Sequence, residues 1–190
     1  MCDIYVAMKV IALIGSRGKN GQTARAAYAW MDGFRSAGGE VEAFFTPTLK
    51  IERCRQCNDD GWGDCLSKGR CIINDDMQKL SEGIKKADAV LFATPVYWGE
   101  LSESLRAFVD RLRRTALHHE GKKGIAEKPV FGICVAGGGG GAAPECAGRM
   151  ERILRDCGFH LEDVVPARRQ NLDAKLEVLK LAGASFAKRK

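Results

Sequence analysis

Five short apolar runs, alternating with stretches of helical spacing, constrain this chain more than any other feature. The runs are Val10–Ile14, Val41–Phe45, Ala89–Ala93, Val130–Val135 and the weaker Leu161–Val165. Between the first two, Ala24, Ala27, Tyr28, Met31 and Phe34 share one helical face, and Gly38-Gly39 stops the helix. Asp75 stands where a helix cap is expected, with Met77, Leu80, Ile84 and Ala87 inward. Leu101, Leu105, Phe108 and Leu112 mark a third helix. Pro144 fits the first turn of a fourth, which Gly158 ends. Leu172, Leu176, Leu179 and Phe186 mark a fifth. Apolar strands separated by helices call for a parallel sheet covered on both faces, with right-handed crossovers.

A chain of 190 residues, 45% apolar and 28% charged, is long enough for one core. The expected organisation is one domain over 1–190, with a cysteine-rich insertion at about 50–74. No apolar stretch reaches the roughly 18 residues of a membrane span, so no membrane partner is expected. The opening MCDIYVAMKVIALIG carries its lysine inside the apolar run rather than ahead of it, unlike an export signal. A cytoplasmic location follows as the expectation, where cysteines are metal-binding, redox-active or buried rather than paired. Net charge is +6, gathered in Arg106–Lys123 and Lys188–Lys190. Without interleaved aromatics this reads as a solvated helix face and a frayed tail, not a nucleic-acid surface.

In an open parallel sheet the ligand sits beyond the carboxyl ends of the strands. The loop after the first strand runs Gly15-Ser16-Arg17-Gly18-Lys19-Asn20-Gly21-Gln22-Thr23 into a helix N-terminus. It suits a small phosphate, with hydroxyl and amide donors, two cations and close-approach glycines. A polar turn with a helix cap is the alternative. It matches neither G-x-x-x-x-G-K-S/T nor G-x-G-x-x-G. After the third strand, Thr94-Pro95-Val96-Tyr97-Trp98-Gly99 sets two aromatics at the sheet's edge. They can stack on a flat ring, meet a neighbouring subunit or fold onto the core. Thr94 and backbone N–H groups can meet the polar edge of a heterocycle. After the fourth strand, Ala136 leads into Gly137–Gly141, a close-approach loop or a connector.

The segments GSRGKNGQT and ATPVYWGELSESLRAFVDR resemble the flavodoxin-like NAD(P)H-dependent FMN reductases, nearest the iron–sulfur flavoproteins. The resemblance runs from Met8 through nearly the whole chain. It implies an α/β, flavodoxin-like three-layer sandwich, with a five-stranded parallel sheet of order 2-1-3-4-5. Ser16, Arg17, Lys19, Asn20, Gly21, Gln22 and Thr23 would then hold the FMN phosphate. Pro95, Val96, Tyr97, Trp98 and Gly99 would line the isoalloxazine, and Ala136, Gly137 and Gly138 would close its other edge. The implied activity moves electrons from NAD(P)H to a quinone-like or other small acceptor, in a homodimer or homotetramer. Flavin chemistry needs no catalytic acid or base from the chain, and none is assigned.

Cys54, Cys57, Cys65 and Cys71 give C-x2-C-x7-C-x5-C. Four thiols this close suit a [4Fe–4S] cluster or a zinc ion, or hold no metal. The second gap is wider than the family's, and Asp59, Asp60 and Asp64 add negative charge that Arg53, Arg55, Lys68 and Arg70 can offset. A cluster would favour electron transfer with a ferredoxin-like partner; zinc would favour a non-catalytic binding module. Cys134, Cys146 and Cys157 fall in apolar patterns and read as buried hydrophobes. Cys2 reads as a disordered terminus, and His118-His119-Glu120 as a solvated turn.

Overall fold

The computed structural model describes residues 7–189; Cys2 lies outside them. Five parallel strands form one sheet: β1 Lys9–Ile14, β2 Glu40–Phe45, β3 Ala89–Pro95, β4 Pro129–Ala136 and β5 His160–Arg168. Their spatial order is β2-β1-β3-β4-β5, the flavodoxin-like order. The strand runs read from the sequence are all present, most of them a residue or two longer. β5 gains most, and a register shift opposite Val130/Phe131 lets its partner jump from Leu161 to Asp163.

The helices are α1 Gln22–Ser36, α2 Asp64–Ser67, α3 Asp76–Lys86, α4 Glu103–Thr115, α5 His119–Lys122, α6 Ala143–Asp156 and α7 Leu172–Phe186. Strand residues alternate between two cores, as their period of two requires. Ile11, Leu13, Val90 and Phe92 meet α3, α4 and α6 on one face. Val10, Ala12, Leu91 and Ile133 meet α1 and α7 on the other. Trp30 anchors the second core, stacked on Phe34 at 5.2 Å and touching Phe131 and Phe186. Helices α1 and α7 cross closely because each offers a glycine. A Cβ on Gly33 would overlap the Lys180 carbonyl, and one on Gly183 the Trp30 carbonyl.

Asp75 caps α3 as its position predicts. Its carboxylate accepts from Met77 N, and Gln78 Oε1 accepts from Asp75 N, closing a capping box. Pro144 lies in the first turn of α6, and Gly158 follows the helix at φ +93°.

Candidate functional site

Strands β1, β3 and β4 are neighbours, and they end at nearly one level. Gly15 N donates to Ala93 O at 2.7 Å, and Val96 N to Val135 O at 2.9 Å. The three loops singled out in the sequence therefore emerge side by side. They flank the point where strand order reverses.

The β1–α1 loop brings hydroxyl, amide and cationic side chains to the N-terminus of α1. The cap of α1 is Gly21, with no side-chain cap and no acidic residue in the first turn. The loop closes as a turn, with Gly21 N donating to Gly18 O at 3.3 Å, and caps α1 by backbone alone. Ser16 Oγ is buried and has no hydrogen-bond partner, and Thr23 is buried behind it in the chain. A buried hydroxyl left unpaired beside an uncapped helix N-terminus is a place for an anion. Arg17, Gly18, Lys19, Asn20 and Gly21 are exposed, and Gln22 is half-buried. The Lys19 ammonium stands 5.8 Å over the Phe45 ring.

The loop after β3 is a tight hairpin turn. Tyr97 and Glu100 exchange both backbone bonds, at 3.1 and 2.9 Å. Between them Trp98 and Gly99 take φ +54° and +76°, as a turn with two left-handed residues requires. Trp98 is 99% exposed and Tyr97 60%, so neither folds onto the core. A tryptophan with positive φ is strained, and the turn is held from outside. Glu100 pairs with Arg106 at 2.9 Å and with Arg149, which reaches Glu145 at 2.5 Å. Glu145 in turn closes on Gly99, where a Cβ would stand 2.7 Å from its Oε2.

Pro95 and Val96 are half-buried at the base of this turn. Thr94 corrects an expectation. It is fully buried; its hydroxyl donates to Pro95 O and accepts from Ser102 N, both at 2.9 Å. With its one proton committed, Thr94 shapes the turn from below and has no donor left for a heterocycle.

In the third loop, Ala136 is buried at the strand end, while Gly137, Gly138 and Gly139 are exposed. A Cβ on any of these three would meet nothing within 4 Å. Their backbone therefore faces open space, with Gly138 O tied by Gln170 Nε2 at 3.1 Å. On the other side of the Tyr97 turn runs a cleft lined by Gly15, Arg17, Pro47, Ile51, Tyr97 and Ser102. Ser102 went unread in the sequence. It sits at the N-cap of α4 without capping it, and its buried Oγ also lacks a partner. Its signal was its place, a serine directly before a helix and after the aromatic loop.

The second cluster lies lower on α4. Cys54, Cys57, Cys65 and Cys71 are free thiols lining one small hollow, together with Arg111 and Arg114. Among the described residues, no three His, Cys, Asp or Glu side chains are grouped to hold a single metal ion. The solvated-face reading of Arg106–Lys123 holds at Lys122 and Lys123, which are exposed, and fails at Arg111. Arg111 is 1% exposed, on the inward arc of α4 one turn from Phe108. It pairs with the buried Asp75, and its Nε and Nη2 donate to Cys71 Sγ at 3.4 and 3.3 Å. Burial pulls its pKa down, but the Asp75 and Cys71 contacts outweigh this and raise it. Arg114 lies over the Trp62 ring at 3.8 Å and donates to Gly61 O. That stacking gives the wide Cys57–Cys65 gap a role: it ties Trp62 and Gly61 to Arg114 of α4.

Cys134, Cys146 and Cys157 are buried as expected, and burial pushes the Cys157 thiol up to about 12. His118 caps the short α5, and His119 and Glu120 are exposed.

Residues 8–150 match the model of the family described as NADPH-dependent FMN reductase. The chain belongs to that family. An iron-sulfur flavoprotein of Archaeoglobus fulgidus is 33% identical over 156 residues, covering 80% of this chain and 64% of that protein. Another, from Methanosarcina thermophila, is 30% identical over 122 residues, covering 63% and 61%. The chain thus spans under two thirds of the length of these two relatives. Among solved structures, an NAD(P)H:quinone oxidoreductase from Methanothermobacter marburgensis superposes with TM-score 0.73 at 18% identity, covering 97% of this chain and 98% of that one. A flavodoxin from the domain Archaea gives 0.59 at 16%, covering 96% and 100%. Both share the fold. Among the described residues, no helix is long and apolar enough to cross a membrane.

Proposed function

We propose that the chain is an FMN-dependent oxidoreductase, with the phosphate at the N-terminus of α1 and the ring between the 94–99 and 136–139 loops. The observation that carries this is Ser16 Oγ, buried and unpartnered beside an uncapped helix. The residues fit the group. Ser16, Gln22, Thr23 and the first-turn N–H groups are donors for phosphate oxygens. Arg17 and Lys19 supply the countercharge. The bare Gly137–Gly139 backbone admits the edge of a flat ring, and the Tyr97–Trp98 tip can close over it.

Bound FMN would supply hydride and single-electron chemistry. The chain's part is to bind, orient and screen. The Glu100–Arg149–Glu145 network fixes the aromatic tip against α6. Ser102 Oγ can meet a polar group in the neighbouring cleft. NAD(P)H is the proposed donor and a quinone-like or other small molecule the acceptor. The family's description and the quinone oxidoreductase's fold support this. An aromatic tip so exposed also supports a homodimer or homotetramer that covers it.

A second reading is favoured by the cysteine hollow: an iron–sulfur flavoprotein in single-electron transfer, served by a ferredoxin-like donor rather than by NAD(P)H. The two relatives named above support it. The donor set fits a [4Fe–4S] cluster better than zinc. One zinc ion needs its ligands gathered about a point, and no such group forms here. A cluster takes each thiolate on a different iron, so its four cysteines line a space rather than a point. Cys54, Cys57, Cys65 and Cys71 would hold it.

Anaerobic stopped-flow mixing of the flavin-loaded chain with NADH and NADPH tests the donor. Rapid bleaching of the flavin by either one is the result expected. No bleaching by either, with reduction by a ferredoxin-like donor, would replace the first reading with the second.

A further inference from the structure

We propose that Arg111 is a positioning residue for the cysteine centre, one that orients Cys71 and raises the reduction potential of a cluster bound there. This rests on the cluster reading above.

The argument starts from where the guanidinium lies. Its residue is 1% exposed, and every nitrogen has a partner. Nη1 donates to Asp75 Oδ2 at 2.6 Å and to Glu52 O at 3.0 Å. Nη2 donates to Asp75 Oδ1 at 3.1 Å, to Ile73 O at 3.3 Å and to Cys71 Sγ at 3.3 Å. Nε donates to Cys71 Sγ at 3.4 Å. Glu52 precedes the first cysteine of the segment, and Ile73 follows the last. Arg111 thus ties both ends of the cysteine segment to α4 while aiming two N–H groups at one sulfur.

Asp75 prevents the guanidinium from moving. Its carboxylate also accepts from Glu52 N at 2.8 Å and Met77 N at 3.1 Å. The planar fork of arginine suits such a bidentate hold, which lysine cannot copy. Asp75 neutralises the fork's formal charge. The two N–H dipoles still point at Cys71 Sγ, and Arg114 adds a second guanidinium to the lining. Hydrogen bonds to ligand sulfurs and local positive charge both stabilise the more negative, reduced state of a cluster.

The test is a redox titration of the full chain, loaded with FMN, iron and sulfide, followed by visible and paramagnetic resonance spectra. The first variant is the double substitution Arg111→Gln with Asp75→Asn, which removes the ion pair without stranding a carboxylate. Asn keeps a cap for α3. The expected result is a cluster harder to reduce by about tenfold, or about 59 mV for a one-electron couple. The FMN potential in the same titration stays unchanged. Should the double variant not hold a cluster, Arg111→Lys decides. It keeps the charge but loses the fork, and the cluster becomes harder to reduce by a smaller factor.

An unchanged cluster potential in the variants overturns the inference and leaves the cluster reading standing. Equal shifts in cluster and flavin also overturn it, by showing a general disturbance. A wild-type chain that takes up no iron and sulfide overturns the cluster reading, and the role of Arg111 with it.

Discussion

Arg111 and Asp75 meet in a two-pronged ion pair, at 2.6 and 3.1 Å, with side chains only 1% and 0% exposed. The pair joins α4, the cap of α3 and both ends of the cysteine segment. Asp75→Ala would leave a buried guanidinium without its counterion. Such losses destabilise by about 3–5 kcal/mol. Asp75→Asn keeps the cap acceptor and should lose less. Urea midpoints of the two variants check this. An alanine variant within about 0.5 kcal/mol of wild type would refute it.

The same pair sets an acid dependence. Burial pushes the Asp75 carboxyl up, but hydrogen bonds from Arg111, Glu52 N and Met77 N outweigh it and hold it below the ordinary carboxylate value. A lowered folded-state pKa gives stability that is fully present above the unfolded value, about 3.9, and lost as pH falls through the folded one. The wild type should therefore lose stability more steeply than Asp75→Asn below about pH 4. Equal slopes in acid unfolding would contradict the assignment.

Ser16→Ala separates binding from folding. The hydroxyl has no partner among the described residues, so its removal should leave thermal stability nearly unchanged. Hydrogen bonds to a charged group contribute about 1.5–3 kcal/mol, so FMN should bind about ten- to a hundredfold more weakly. Adding Thr23→Ala should weaken it further. Fluorescence titration of FMN into the flavin-free protein measures both. Unchanged affinity in the double variant removes the phosphate from this loop.

Trp98→Ala should behave in the same divided way. A side chain 99% exposed supports little of the fold, and its loss should change stability by under about 0.5 kcal/mol. As a surface for the flavin ring or a second copy, it should weaken FMN binding or shift the oligomer toward monomer. Light scattering and flavin titration report the two effects. A variant unchanged in both would leave the tip without a role.

Gly183→Ala probes the α1–α7 crossing. The added Cβ would overlap the Trp30 carbonyl, so the helices must separate. Overpacking of this kind destabilises by about 1–3 kcal/mol. Calorimetry should show a lowered Tm with flavin affinity retained. An unchanged Tm would mean that the crossing is looser than its glycines indicate.

The fold was legible because period-two burial against two helical layers writes itself into Val10–Ile14, Ala89–Ala93 and Val130–Val135. Asp75 was legible as a cap because capping is local. The site was legible in its loops and less so in its details. Thr94 looked like a free donor, yet its proton is used by Pro95 O, a contact that depends on the turn's path. Arg111 looked like one charge in a basic helix. Its burial depends on Asp75 and Cys71, 36 and 40 residues away, and no local pattern carries such a contact. Trp62 was unreadable for the same reason: its partner, Arg114, lies on another element. The order β2-β1-β3-β4-β5 came from family resemblance rather than from periodicity, which is silent on neighbours.

The central claim is that three adjacent loops hold FMN, and the visible spectrum of protein purified without oxygen tests it most directly. Two flavin bands, at one FMN per chain, are the result predicted; a broad brown absorbance beneath them, fading on reduction, would add the cluster. A colourless protein that still binds no FMN when it is added back would contradict the account.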